Sequence, residues 1–370
     1  MGKKIGIITI YVVNYGAVLQ TYALQKYLKS CEDVSQVEIV NFYTKEVEKI
    51  FKRYKSHNII KNLILKFVVL LRYPWLYRRK LREKAFEAEE FSFTRRYENP
   101  QYLLEHMPPS DIYITGSDQV FNPNTRYKRV FYLDFNKPSN AIKVAYAPSV
   151  GLNSLPQEIE NEVSKYLSDF DFLSCREDTG AKYLSHISQK EVQWVTDPTL
   201  LLDCAQWERM GIAPHISGDF ILVYDLNGGR NLIEIAVEIK CKTHLPIVCI
   251  TQKPQSFNRN VYRYIYSAGP REFVGWFNKA SYVVTDSFHG TMFSLIFRRP
   301  FFVYIASHGT SSRLYSILRY LGLEKRIVNE KGSLLISEPC FDDKFESLMG
   351  DYIQSSKNYI NQFLHYNQYQ

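Results

Sequence analysis

Thr285-Asp286-Ser287-Phe288-His289-Gly290 puts a carboxylate, a hydroxyl and an imidazole within six residues, where an apolar run (281–285) gives way to a helical one (290–297). At such a junction His289 could hold a transferable proton near neutral pH, and Gly290 leaves the backbone beside it accessible. The plainer alternative is a buried histidine bonded to backbone. Arg176 ends a short apolar run (172–175) and precedes Glu177-Asp178, so it is either a cation waiting for an anion or a helix-start ion pair. Arg313 follows the run 301–304 and would approach the same cleft. Asp118, in Gly116-Ser117-Asp118-Gln119, is either a base or a capping residue. Gly16 sits at a strand-to-helix turn, where backbone N–H groups and the positive end of a helix dipole can face an anion; Asn14 is part of that cradle or an N-cap.

The elements that must position these groups alternate. Residues 3–10 (KKIGIITI) form a β-type run, 17–30 carry apolar residues at helical spacing, and 37–42 supply the next parallel strand, which makes a βαβ unit. Runs 111–115 and 141–146 are further short strands, each followed by small polar residues. A helix near 157–169, a strand at 172–175, a helix at 179–184 and a strand at 192–195 complete the first set. After Pro198 the pattern restarts: strand 220–224, helix 230–240, strand 247–250, helix 272–279, strand 281–285, helix 290–297 and strand 301–304. Polar residues at the carboxyl ends of parallel strands line the cleft of open α/β sheets, which is where every candidate above falls. The expected domains are 1–205, interrupted by a basic helical insert at 43–98, then 206–340, with a C-terminal helix in 341–370 packing back on the first domain. At 370 residues the chain is long enough for two cores.

Composition narrows the class. Charged residues make up 23% and hydrophobic ones 45%, as in ordinary soluble proteins. The net charge of +8 is concentrated: residues 45–84 hold thirteen Lys/Arg against three Asp/Glu, so the rest is near neutral; that asymmetry alone would equally suit an acidic polymer, and no nucleic-acid partner is expected. Within that insert, 59–71 (IIKNLILKFVVLL) is too short to span a bilayer, which takes about 20 apolar residues. With Trp75 and Arg78-Arg79-Lys80 it reads either as an interfacial helix for an anionic membrane or as a helical hairpin packed on the domain. Six scattered cysteines without C-x-x-C spacing read as reduced thiols of a cytoplasmic protein, and no signal peptide is expected from residues 1–10. There is no G-x-G-x-x-G and no Walker-type loop, so dinucleotide and P-loop functions lose their main support.

Six segments in order resemble the polysaccharide pyruvyl transferase family. They are Asn14-Tyr15-Gly16-Ala17-Val18-Leu19-Gln20-Thr21-Tyr22-Ala23-Leu24, Gly116-Ser117-Asp118-Gln119-Val120-Phe121-Asn122, Tyr146-Ala147-Pro148-Ser149, Ser174-Cys175-Arg176-Glu177-Asp178, Thr196-Asp197-Pro198-Thr199-Leu200-Leu201-Leu202 and Asp286-Ser287-Phe288-His289-Gly290. Together they span about residues 5–325. The resemblance implies an α/β protein of two Rossmann-like domains facing a central cleft, GT-B-like, with the donor between them. It implies pyruvate transfer from phosphoenolpyruvate to a lipid-linked oligosaccharide or polysaccharide acceptor, with no tightly bound cofactor and no metal. Arg176 would then bind phosphoenolpyruvate and His289 act as the catalytic acid. Arg313, Ser287, Gly290, Asn14 and Gly16 are expected around the donor, and Gln20 and Asp286 at the acceptor. Asp118 is the candidate base, with Asp286 in reserve. Members commonly carry Arg-Leu-His where this chain has Ser287-Phe288-His289, so Arg313 or Arg298 is expected to supply the missing cation.

Two other readings share the fold. A glycosyltransferase with a nucleotide-sugar donor would be protected by nucleotides in thermal melts. A non-catalytic glycan-assembly module would follow from loss of the donor site, and the serine at position 287 is its best argument. The expected location is cytoplasmic, peripheral on the inner face of the plasma membrane.

Overall fold

The computed structural model describes residues 2–12, 14–43, 74–125, 127–151, 155–226, 231–251, 258–305, 312–328 and 334–366. Strand β1 (Lys3–Ile8) leads to helix α1 (Tyr15–Lys29) and strand β2 (Val34–Ile39); helix α2 (Pro74–Glu90) precedes β3 (Ile112–Thr115) and β4 (Ile142–Ala145). All four strands are parallel, in the order β2-β1-β3-β4. Helix α3 (Gln157–Ser168), strand β5 (Leu173–Cys175), helix α4 (Asp178–Ser188) and strand β6 (Val192–Trp194) follow; β5 and β6 pair with each other, and a bridge from Phe172 to Val144 joins them to β4. The inner strands β3 and β4 are buried on both faces, as parallel strands covered by helices must be.

The second sheet contains β7 (Ile221–Asp225), α5 (Asn231–Thr243), β8 (Ile247–Thr251), β9 (Val261–Ile265), α6 (Pro270–Lys279), β10 (Tyr282–Thr285), α7 (Phe288–Ile296), β11 (Phe301–Tyr304), α8 (Ser312–Tyr320) and β12 (Ile327–Val328). Its six parallel strands run in the order β12-β11-β10-β7-β8-β9. In each sheet the order reverses beside the first strand, and such a switch point opens a crevice at the carboxyl ends. The long helix α9 (Asp343–Leu364) returns to the first sheet: Tyr359, Ile360, Phe363 and Leu364 pack with Ile5, Ile7 and Ile114. Tyr352 Oη donates to Val195 O at 2.8 Å, and Ser356 Oγ accepts from Thr196 N at 2.8 Å.

One apolar cluster has members from both sheets. Tyr15 of α1 stacks on Phe273 of α6 at 4.6 Å and donates its hydroxyl to Ala268 O at 2.8 Å. Tyr22 meets Phe86 of α2 and Trp207. Burying one such ring removes roughly 150–250 Å² from water.

Two sequence expectations shift. Strand β2 begins at Val34 rather than 37, because as an edge strand it keeps Ser35 and Gln36 exposed, which hides its start from a search for apolar runs. The first part of the basic insert, including 59–71, lies outside the described residues. Its described part is no free amphipathic helix: Phe86 is buried, Arg82 pairs with Glu272 at 2.9 Å, and Arg271 of α6 pairs with Glu89 and Glu90. Trp75, expected as a membrane anchor, packs its ring 5.6 Å from that of Tyr266. Residues 91–97 then run alongside β2, with bridges Ile39–Phe93 and Phe42–Tyr97. No described helix is long and apolar enough to cross a membrane.

Candidate active site

Six strand ends supply the site. Asn14 and Gly16 follow β1, Asp118 follows β3, Arg176 follows β5 and Asp197 follows β6, while Ser287 and His289 follow β10 and Arg313 opens the helix after β11. Position after a strand is enough to bring them to one side of each sheet.

At the centre is Asp197, 2% exposed. Its Oδ2 accepts from Arg176 Nη1 at 2.6 Å and lies 3.5 Å from His289 Nε2, while Oδ1 accepts from Thr199 N at 3.0 Å and Thr199 Oγ1 at 2.7 Å. Burial works to raise the Asp197 pKa, but His289, Arg176 and Thr199 outweigh it and hold the carboxyl well below the usual range. Arg176 Nη2 also reaches Asp118 Oδ1 at 3.4 Å. Burial alone would lower the pKa of this guanidinium; Asp197, Asp118 and Glu177 reverse that and raise it.

Phe288 carries two cations. The Arg176 guanidinium lies 4.5 Å from its ring centroid and that of Arg313 lies 5.6 Å away. Arg313 also donates to the Gln119 amide oxygen at 3.1 and 3.2 Å, with that amide oriented to suit its neighbours. Burial first, and the like charge of Arg176 second, push the pKa of Arg313 down. Two adjacent guanidiniums with depressed solvation form a site that an anion would stabilise. Arg176 Nε and His289 Nε2 are both buried and make no hydrogen bond. Buried donors without partners are rare enough that each requires an explanation, and a small polar ligand between the sheets is one.

Glycine at 16 is forced by this packing. A Cβ there would lie 2.0 Å from His289 Nδ1, so α1 can approach the imidazole through Gly16 alone. Gly290 is forced too, since its Cβ would meet Thr285 Oγ1 at 2.5 Å, and this lets α7 start directly against β10. Asp118 has φ 68° and ψ −169°, a region that costs a non-glycine residue about 1–3 kcal/mol. It is held there by Ser149 N and Val120 N, which both donate to its carbonyl at 2.8 Å.

Not every expected residue joins the centre. Asn14 caps α1, its Oδ1 accepting from Ala17 N at 2.9 Å, and Ser287 caps α7, accepting from Gly290 N at 3.3 Å. Asp286 Oδ1 accepts from Leu226 N at 3.0 Å, tying the ends of β10 and β7 together. Gln20, expected at the acceptor, is 0% exposed; its amide nitrogen lies within hydrogen-bond reach of Thr9, Ile10, Ala17 and Thr21, so it braces the turn after β1 and has no surface to offer. Of the two cations expected to stand in for the family arginine, Arg313 is at the centre. Arg298 faces away, bidentate to exposed Glu346 at 2.6 and 2.7 Å. Sequence reasoning missed Asp197 as a site residue, although an aspartate closing a strand before proline was a visible signal. Among the described residues no His/Cys/Asp/Glu group is arranged to hold a metal.

Two parallel α/β sheets with their carboxyl ends converging on one cation-rich centre define a GT-B-like protein. A solved structure agrees on the fold. A protein from Listeria monocytogenes assigned as a UDP-N-acetylglucosamine 2-epimerase superposes with TM-score 0.50 at 10% identity, covering 99% of this chain and 91% of its own. UDP-GlcNAc 2-epimerase from Neisseria meningitidis gives 0.49 at 11% identity, with 97% and 94% covered. Among curated proteins no sequence match is found. The family model for polysaccharide pyruvyl transferase matches residues 14–308, and the chain belongs to that family.

Proposed function

We propose that the chain transfers pyruvate from phosphoenolpyruvate to two hydroxyls of a sugar in a lipid-linked or polymeric surface-glycan precursor, forming a cyclic ketal. The observation that carries this reading is the pair of buried nitrogens without hydrogen-bond partners, Arg176 Nε and His289 Nε2, gathered at one carboxylate beside Arg313. Phosphoenolpyruvate is a small polyanion that needs a proton delivered to its methylene carbon, and these groups match both needs.

In the proposed sequence His289 protonates that carbon, the double-bond electrons form the new C–H bond, and the adjacent carbon becomes electrophilic. One sugar hydroxyl adds there and passes its proton to Asp118. The bond to the phosphate oxygen breaks, phosphate leaves, and the second hydroxyl closes the ketal. Of the two hydroxyl protons, one restores the imidazolium and one leaves with phosphate. Arg176 and Arg313 hold the carboxylate and the departing phosphate, while Asp197 positions Arg176 and His289.

Phosphate release from phosphoenolpyruvate in the presence of a lipid-linked oligosaccharide tests the proposal. His289→Ala should abolish it, and phosphoenolpyruvate rather than a nucleotide sugar should raise the melting temperature. Protection by nucleotide sugar with none by phosphoenolpyruvate would overturn it. We also propose peripheral association with the inner face of the plasma membrane, supported by the concentrated charge of 45–84 and the exposed Arg78. Flotation with anionic vesicles that is absent, or unaffected by salt, would remove that part.

A further inference from the structure

Helix α2 does more than tie the sheets together. Its inner side closes a groove of about 450 Å³ against the loops that follow β1 and β2. Four rings line it, those of Tyr11, Tyr15, Tyr43 and Phe93. Tyr11 and Phe93 lie 5.1 Å apart, and Tyr43 carries the Arg96 guanidinium 4.7 Å from its centroid. Flat apolar faces flanked by polar tips suit the C–H face of a pyranose.

Cations outnumber carboxylates around these rings: Arg79, Lys80, Lys84 and Arg96 stand against Glu83 and Glu87. Arg79 pairs with Glu83 at 3.4 Å, and Arg96 with Glu98 at 3.0 Å. Among the described residues neither Lys80 nor Lys84 has a carboxylate within ion-pair distance. Lys80 is half-buried, and burial pushes its pKa below the ordinary value, which an anion beside it would reverse. The groove adjoins the imidazole centre through the first turn of α1: Asn14 lines it, and two residues on, Gly16 lies against the His289 ring.

We propose that this groove is the acceptor subsite and takes an anionic saccharide, a sugar residue bearing a carboxylate or a phosphate, with its ring on Tyr43 and its charge on Lys80 and Lys84. The assignment as an acceptor site rests on the transferase reading above; the binding itself does not. An acidic sugar would be drawn in from solution by the same charge that orients it, and attraction to exposed lysines weakens with salt.

The test is calorimetric titration of the full chain, without phosphoenolpyruvate, using cellobiouronic acid, glucose 1-phosphate and neutral cellobiose. At least one acidic probe should bind about tenfold more tightly than cellobiose, and which one does separates a carboxylate ligand from a phosphate ligand. The double variant Lys80→Gln/Lys84→Gln should lose that preference while keeping the parent melting temperature, and Tyr43→Ala should weaken every probe that binds. Equal binding of acidic and neutral probes, or an unchanged preference in the double variant, would overturn the proposal. If the lysine variant loses the acidic sugar but phosphoenolpyruvate gives no turnover in the parent, the transferase reading and with it the acceptor role fail, while the groove stands as a binding site for an acidic saccharide.

Discussion

The imidazole centre and the α2 groove are both rich in cations, yet they use them oppositely. At the centre the main charges are held from within the chain, Arg176 by Asp197 and Asp118, and Asp197 in turn by Arg176 and Thr199, while Arg176 Nε and His289 Nε2 keep no hydrogen-bond partner. In the groove two lysines are left unanswered among the described residues and reach toward solvent. A buried, mutually paired cluster cannot rearrange cheaply, so it fixes atoms for a reaction. An open, unpaired cluster attracts without fixing, which suits a larger and more varied partner.

Breaking the pairing at the centre should have the largest effect. Asp197→Asn leaves Arg176 without its closest anion at 1% side-chain exposure, and breaking a buried pair costs about 3–5 kcal/mol. Urea unfolding should register that loss, and phosphate release from phosphoenolpyruvate should fall by about 100-fold or more. The acid response carries a sign. Because the folded-state pKa of Asp197 is depressed, its stabilisation is present above the unfolded value of 3.8 and is lost as pH falls below it, and the asparagine variant should lack that slope. A parent and variant with equal acid sensitivity would show that Asp197 is not the hub.

Moving the imidazole without touching its charge should cost less. Gly16→Ala sets a methyl group 2.0 Å from His289 Nδ1, so the ring must shift. A displacement of about 1 Å can reduce turnover roughly 100-fold, here with a smaller loss of stability than in Asp197→Asn. Retained turnover would mean that the ring position is not critical.

The smallest expected effect lies in the groove. Burial, helped by the charge of Glu83, pushes the Glu87 pKa up from 4.5 to about 7. A raised carboxyl favours the folded state while protonated, so its contribution is full below 4.5 and disappears as pH climbs through 7. Urea midpoints at pH 5 and pH 8 should therefore differ less in Glu87→Gln than in the parent, and an identical difference would refute the assignment.

Much of this was legible because parallel strands buried on both faces are written as short apolar runs, and the polar residues after each run mark the carboxyl ends. Arg176, His289, Arg313 and Asp118 could be chosen on that rule. The rule could not tell a residue that faces the crevice from one that braces it. Asp286 follows a strand too, and Gln20 lies in the helix behind β1, but local hydrogen bonds claim them. Asp197 escaped for the opposite reason: an aspartate before proline reads as a cap, and its Thr199 contacts are indeed of that kind, but its other oxygen serves Arg176 and His289 from distant parts of the chain. Pairings of that range leave no local pattern. Helix α2 hid its inward face similarly, since Arg78-Arg79-Lys80 reads as one basic patch although Arg78 is exposed and its two neighbours line the groove.

Tyr15 sets a limit on how the molecule can breathe. Swinging the two sheets apart like a hinge would pull that ring off Phe273 and break its bond to Ala268, exposing interior that both sheets share. Any such opening must therefore give up a shared interior first, which makes the pair of sheets behave more as an anvil than as a jaw.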